Sequence, residues 1–230
     1  ALILKSLRNG QRFAPELLTR EIVREQAQGA EVGKDRPSVR HRSGGGARVD
    51  PVDALHVLQR LCGADLDGPP GKAFYTGMFN ARGAFESDLT VVRLGAEEFY
   101  LVTGTSQTVR DMDWIRRNLL PGERVELADI TEAWSVISVM GPNSRALLSH
   151  VADADLSTNS AFPFGAARTI SVWPATVLAI RLTYVGELGW ELHVPASQAG
   201  LLYDLLMEAG RDFGAVNAGH YAINSLRLEK

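Results

Sequence analysis

Residues 72–104, "KAFYTGMFNARGAFESDLTVVRLGAEEFYLVTG", decide the fold. Three runs rich in aromatic and β-branched residues, "KAFYTGMFN" (72–80), "DLTVVRL" (88–94) and "EFYLVTG" (98–104), are parted by the turn segments "ARGAFES" and "GAEE". Connections this short join antiparallel neighbours, because a parallel pair needs a crossover of a dozen residues or more. The stretch therefore predicts a three-stranded meander, with Asp88 at the start of its second strand.

Helical patterns flank the meander. In "ARVDPVDALHVLQRLCGADL" (47–66), Val52, Leu55, Leu58 and Leu61 recur at the spacing of one buried helix face. In "TVRDMDWIRRNLL" (108–120), Val109, Met112, Ile115 and Leu119 do the same. Strands are expected at "VELADIT" (125–131) and "WSVISVMG" (134–141), and Pro142 is expected to open a helix over "PNSRALLSHV" (142–151). "ARTISVW" (167–173), "TVLAIRLTYV" (176–185) and "GWELHVP" (189–195) read as strands. "SQAGLLYDLLMEAG" (197–210), with Ser197 as cap, and "HYAINSLRLEK" (220–230) read as helices. The sum is an α+β chain: two similar lobes of mainly antiparallel sheet with packed helices.

The N-terminal part differs. Residues 1–30 read as a helix of unknown role, since Pro15 suits a first turn and Leu17, Leu18, Ile22 and Val23 line one face. Residues 31–47, with "GKDRPSVRHRSGGGAR" running from 33 to 48, are basic and rich in Gly and Ser, which predicts a linker. The main domain is expected over 48–230.

Composition narrows the function. A chain of 230 residues, 45% hydrophobic and 22% charged, has enough apolar material for a sizeable core. Its net charge of −3 gives no electrostatic reason to expect nucleic acid or a membrane surface as partner. The single cysteine, Cys62, precludes an intramolecular disulfide and fits a reducing compartment. A cytoplasmic location is the default, with the mitochondrial matrix as the alternative. No G-x-G-x-x-G follows a strand, no complete phosphate loop or G-x-S-x-G elbow occurs, and the five histidines lack metal-ligand spacing. No metal and no FAD site is expected in this chain.

Two carboxylates stand out. In "TYVGELGWELHV" (183–194), Trp190, Leu192 and Val194 alternate onto one face, leaving Glu191 and His193 on the other. That second face is either a solvated strand surface or a binding surface on which Glu191 accepts two parallel hydrogen bonds. A reduced pterin offers such a pair, a ring N–H beside an exocyclic amino group. Tyr184 is either a core-edge tyrosine or a ring that packs on a flat heterocycle. Asp88 is either a turn residue bonded to nearby backbone or a carboxylate that takes a proton or holds a cation.

Taken together, "YTGMFNARGAFESDLTVVRL", "TYVGELGWELHVP" and "HYAINSLRLEK" resemble the folate-binding aminomethyltransferase family. That family comprises the T-protein of the glycine cleavage system and the homologous C-terminal half of dimethylglycine and sarcosine dehydrogenases. "DMDWI" and "MGPNSRALL" add weaker matches, and the likeness runs from about residue 48 to 230. The wording is closer to the dehydrogenase branch. The resemblance implies the T-protein folate-binding fold, with tetrahydrofolate accepting a one-carbon unit from an amine or iminium donor to give 5,10-methylenetetrahydrofolate. It implies that Asp88 is the catalytic aspartate, that Glu191 grips the pterin edge, and that Tyr184 and Tyr75 line the folate site. Its partners would be folate and an amine-derived one-carbon donor, with a separate flavoprotein or an FAD domain supplying the iminium. The alternative is a folate holder without chemistry, or a subunit of an FAD-dependent amine oxidase.

Departures are visible. Ser87 stands where the family often has a second acid, "RGG" has become "RGA" at 82–84, and Ile223 replaces an arginine of the T-protein helix. A closing C-terminal barrel domain is expected to be missing.

Overall fold

A computed structural model describes residues 2–6, 38–41, 53–96, 98–104, 106–123 and 125–229. The chain divides into two compact units, one of residues 31–130 and one of residues 1–30 with 131–230.

The 31–130 unit holds a five-stranded sheet of order β3-β4-β5-β2-β6, every neighbouring pair antiparallel. Its strands are β2 (Ser38–His41), β3 (Lys72–Phe79), β4 (Phe85–Arg93), β5 (Glu98–Thr103) and β6 (Val125–Leu127). The meander read from the sequence is β3-β4-β5. Helix α1 (Asp53–Leu61) and helix α2 (Thr108–Arg117) belong to the same unit. Leu55, Leu58 and Leu61 of α1 and Ile115 of α2 share a core with Met78, Leu89, Val91 and Phe99. Cys62 lies in this core, where burial pushes its thiol up to about 12.

The second unit holds a six-stranded sheet of order β11-β1-β7-β10-β9-β8. Its strands are β1 (Leu2–Ser6), β7 (Trp134–Met140), β8 (Ala167–Val172), β9 (Ala175–Ile180), β10 (Gly189–Pro195) and β11 (Ala215–Asn217). Only β1 with β11 is parallel. Its helices are α3 (Ser144–Val151), α4 (Ala199–Gly210) and α5 (His220–Leu228). One sheet face, with Ile137, Val139, Trp190, Leu192 and Val194, is packed with Leu147, Leu148, Leu202 and Leu206 of α3 and α4. Trp190 is fully buried there, edge-on to Phe162 at 6.1 Å, with the guanidinium carbons of Arg145 and Arg181 at 5.4 and 5.5 Å from its ring. Two lobes of mainly antiparallel sheet with packed helices are thus what the chain forms.

Several expectations need correction. The helix over 1–30 gives way at its start to strand β1; residues 7–30 lie outside the described residues. The linker over 31–47 contains β2, which pairs with β5 and β6; the rest of it is likewise outside the described residues. Asp88 does not begin its strand: β4 starts at Phe85, because Asn80 closes the preceding turn by donating to Ala84 O at 2.9 Å and accepting from Arg82 and Ala84 N–H. Helix α2 is rotated from the expected face. Val109 is 82% exposed, whereas Asp111, one turn before buried Ile115, points inward. Pro142 precedes α3 rather than opening it, and Ser197 falls in a 3-10 turn before α4.

Candidate functional site

Each unit contributes its own constellation. On the β3–β4 hairpin, Tyr75 pairs across from Thr90 and Gly77 from Asp88. Met78, Leu89 and Val91 face the core with α1, so alternation puts Tyr75 and Asp88 on the opposite face. There the Tyr75 hydroxyl donates to Asp88 Oδ2 at 2.6 Å. Such a short bond is the charge-assisted kind. The Tyr75 side chain stays accessible, 74% exposed overall, and Asp88 is half-buried. The arrangement offers a fixed carboxylate beside a hydroxyl donor, able to hold a cation or to move a proton.

The second constellation is built by a turn. Gly186 takes φ of +79°, a left-handed conformation that favours glycine. Gly189 begins β10 so close to β7 that a Cβ there would meet Met140 Cγ at 2.7 Å and Val139 O at 3.2 Å. The turn is tied down by Gly141 N–H and Ser144 Oγ–H, both donating to Leu188 O, at 2.7 and 3.0 Å. Those two glycines fix where β10 starts. From there the register puts Glu191 opposite Ser138 of β7 and Ile180 of β9.

The solvated reading of this face is overturned. The Glu191 side chain is only 12% exposed, and His193 is completely buried. Alternation separates Glu191 and His193 from Trp190, Leu192 and Val194 as expected, but strand β10 is sheltered on both faces. The ionisable side chain that lies against Glu191 among the described residues is that of His193, whose Nε2 is 3.5 Å from Oε2. Neither carboxylate oxygen receives a hydrogen bond of normal geometry from a described residue.

Tyr184 precedes the turn and packs with Met140, Val185 and Ile223, beside Leu226. Its hydroxyl accepts from Arg227 Nη1 at 3.0 Å, and the same guanidinium lies 5.4 Å from its ring centre. Helix α5 therefore orients Tyr184 through two contacts, and Ile223 is buried in that cluster.

Of the residues named from sequence, Tyr75 and Asp88 are brought into contact within one unit. Tyr184 and Glu191 belong to the other. Arg227 and Asp111 are not named by the sequence reading, and His193 is given a face by it but no role. Arg227 follows buried Ile223 by four residues, a spacing that puts both on neighbouring turns of one helix face. His193 shares the parity of Glu191, and Asp111 lies one turn before Ile115 on the buried face of α2. Among the described residues, no helix is long and apolar enough to cross a membrane, and no three His, Cys, Asp or Glu side chains gather as a metal site would need.

Comparison with known proteins is consistent with this architecture. The chain is 42% identical over 193 residues to mitochondrial sarcosine dehydrogenase of Mus musculus, an overlap of 78% of this chain and 21% of that protein. It is 36% identical over 179 residues to mitochondrial dimethylglycine dehydrogenase of Rattus norvegicus, covering 77% of this chain and 21% of the relative. The chain thus spans about a fifth of the length of these relatives. In fold it matches the glycine cleavage system aminomethyltransferase T of Bartonella henselae, with a TM-score of 0.65 at 23% identity over 84% of this chain and 47% of that one. The model of the GCVT N-terminal domain matches residues 43–230. The chain therefore belongs to the GCVT N-terminal domain family.

Proposed function

We propose that this chain is a tetrahydrofolate-binding domain that receives a one-carbon unit from an amine or iminium donor, yielding 5,10-methylenetetrahydrofolate. The observation that carries this reading is Glu191. It is a sheltered carboxylate whose oxygens receive no hydrogen bond of normal geometry among the described residues, with His193 Nε2 3.5 Å from Oε2. Left unfilled, such acceptor capacity costs free energy. A pterin edge, with a ring N–H beside an amino group, supplies two parallel donors of the right kind.

In this reading Glu191 grips the pterin edge and Tyr184, oriented by Arg227, packs its ring on the heterocycle. Tetrahydrofolate, when bound, supplies the nitrogens that take up the one-carbon unit. Asp88 holds the positive charge of the donor as it reacts, and Tyr75 keeps that carboxylate in place through its hydrogen bond. Oxidation of the amine is assigned to a flavin-bearing partner or domain, and the names of the dehydrogenase relatives support that division of labour.

Isothermal titration with tetrahydrofolate tests the assignment. Glu191→Ala is expected to weaken binding roughly 10- to 100-fold, because hydrogen bonds to a charged group contribute about 1.5–3 kcal/mol. Glu191→Gln, which keeps one acceptor, should fall between. Equal affinity in wild type and Glu191→Ala would sink the reading.

A further inference from the structure

Ser87 stands one residue before Asp88, and its side chain points the other way, toward α2. Its hydroxyl lies 2.9 Å from Gln107 Oε1 and 3.0 Å from Asp111 Oδ2. A serine has one proton to donate. Two acceptors cannot both receive it, so one of the three groups must bring a second hydrogen. Gln107 could do so by presenting its amide nitrogen instead of its oxygen; Asp111 could do so by carrying a proton.

The surroundings decide between them. Asp111 is 2% exposed, and its Oδ1 is buried without a hydrogen bond of normal geometry, with only the nearby Thr103 hydroxyl of β5 in partial relief. An ionised carboxylate in that place would carry its desolvation cost with half its acceptor capacity unused. The charged groups that face it are Arg110, its neighbour on α2, and Asp88 on β4. Arg110 is engaged elsewhere, donating to Glu86 Oε2 at 3.1 Å. Burial pushes the Asp111 carboxyl above the usual carboxylate range and the Asp88 charge adds to this, against the opposing pull of Ser87, Thr103 and Arg110.

We infer that Asp111 is a positioning residue held as the neutral carboxylic acid, donating to Ser87 Oγ, which donates on to Gln107 Oε1. This hydroxyl chain braces β4 at the residue that precedes Asp88. It also keeps a second negative charge from standing behind Asp88 and competing for the cation that Asp88 holds. The role rests on the reading of Asp88 given above.

Carboxyl carbon NMR of the full chain, with the Asp111 signal assigned by its loss in Asp111→Asn, tests the inference. Asp111 is expected to give the carboxyl carbon signal of the protonated form at pH 7, its midpoint raised above the ~3.9 of a free aspartate. Its midpoint should fall in Asp88→Asn, which removes a like charge, and rise in Ser87→Ala, which removes a bond to the ionised form. The fold prefers the protonated form, so the stability it contributes is full below the unfolded midpoint and is lost as pH rises through the folded one. The melting temperature of Asp111→Asn relative to wild type should therefore improve from pH 5 to pH 8, with tetrahydrofolate affinity kept within about twofold of wild type.

An Asp111 carboxyl carbon signal of the ionised form at pH 7, or a midpoint that Asp88→Asn does not move, would overturn the inference, as would an Asp111→Asn variant that loses more stability at pH 8 than at pH 5. Those results leave the assignment of Asp88 itself intact. If instead Asp88→Asn left turnover unchanged while Asp111 still titrated high, the Asp88 reading would fail and take the positioning role with it.

Discussion

Asp88→Asn is expected to slow formation of 5,10-methylenetetrahydrofolate by ~10²–10³-fold, the loss typical of removing one preorganised group from a developing charge. The substitution keeps the shape of the side chain and an oxygen for the Tyr75 hydroxyl, which lies 2.6 Å from Oδ2 in the parent chain. What it removes is the negative charge. Folding should therefore change little, because the side chain is half-buried, sits in mid-strand opposite Gly77 and is no part of either core. The assay follows the product with formaldehyde as donor, against the uncatalysed condensation. A wild-type rate no faster than that background would identify a folate holder without chemistry. A variant as fast as wild type would remove Asp88 from the reaction. The Tyr75→Phe substitution provides a graded companion, since it frees the carboxylate without discharging it.

Trp190→Ala is expected to have the largest effect on stability. Truncating a buried tryptophan costs ~3–5 kcal/mol, a large share of the ~5–15 kcal/mol that keeps a domain folded. Trp190 joins α3, α4 and the sheet of the second unit, and the Arg145 and Arg181 guanidiniums pack against it. Both arginines also donate to Asn159 Oδ1, so the loop around residues 156–162 would loosen with them. Trp190→Phe should be far milder. It gives up volume, but it also removes an indole N–H that is buried without a hydrogen-bond partner. Urea unfolding followed by circular dichroism would separate the two variants; similar midpoints would show that the packing around the indole carries little of the unit's stability. Because Glu191 is the next residue on β10, Trp190→Ala should also lose folate affinity, and Trp190→Phe should retain it.

How far the sequence could be read depended on where the determining contacts lie. The meander was legible because alternation and turn residues are local, and so was the parity that separates Glu191 from Trp190 and Leu192. Strands β1 and β2 were not, because "LILKS" and "SVRH" are short and lack flanking periodicity; their strand character comes from backbone pairing with β7, β11, β5 and β6. Alternation also cannot say whether a sheet is covered on one face or both, which is why His193 could be assigned a face but not its burial. Asp111 was missed for another reason. A charged residue inside an apolar stripe reads as a break in the pattern, so the spacing points to Val109 and Met112 as the buried face in its place. Ser87, noted as a departure where a second acid often stands, turns out to be the residue that links Asp111 to the strand of Asp88.

Cys62 gives this chain a built-in chemical clock. A sulfhydryl enclosed among Leu58, Leu61 and Met78, and reluctant to ionise, offers almost no thiolate to an alkylating reagent while the 31–130 unit stays closed. Since the sequence contains one cysteine, each labelling event counts an opening of that half alone. Iodoacetamide uptake measured beside the tryptophan emission of a Trp114→Phe variant, whose remaining tryptophans all fall within residues 131–230, would time the breathing of the two halves separately, in one tube and without an added tag.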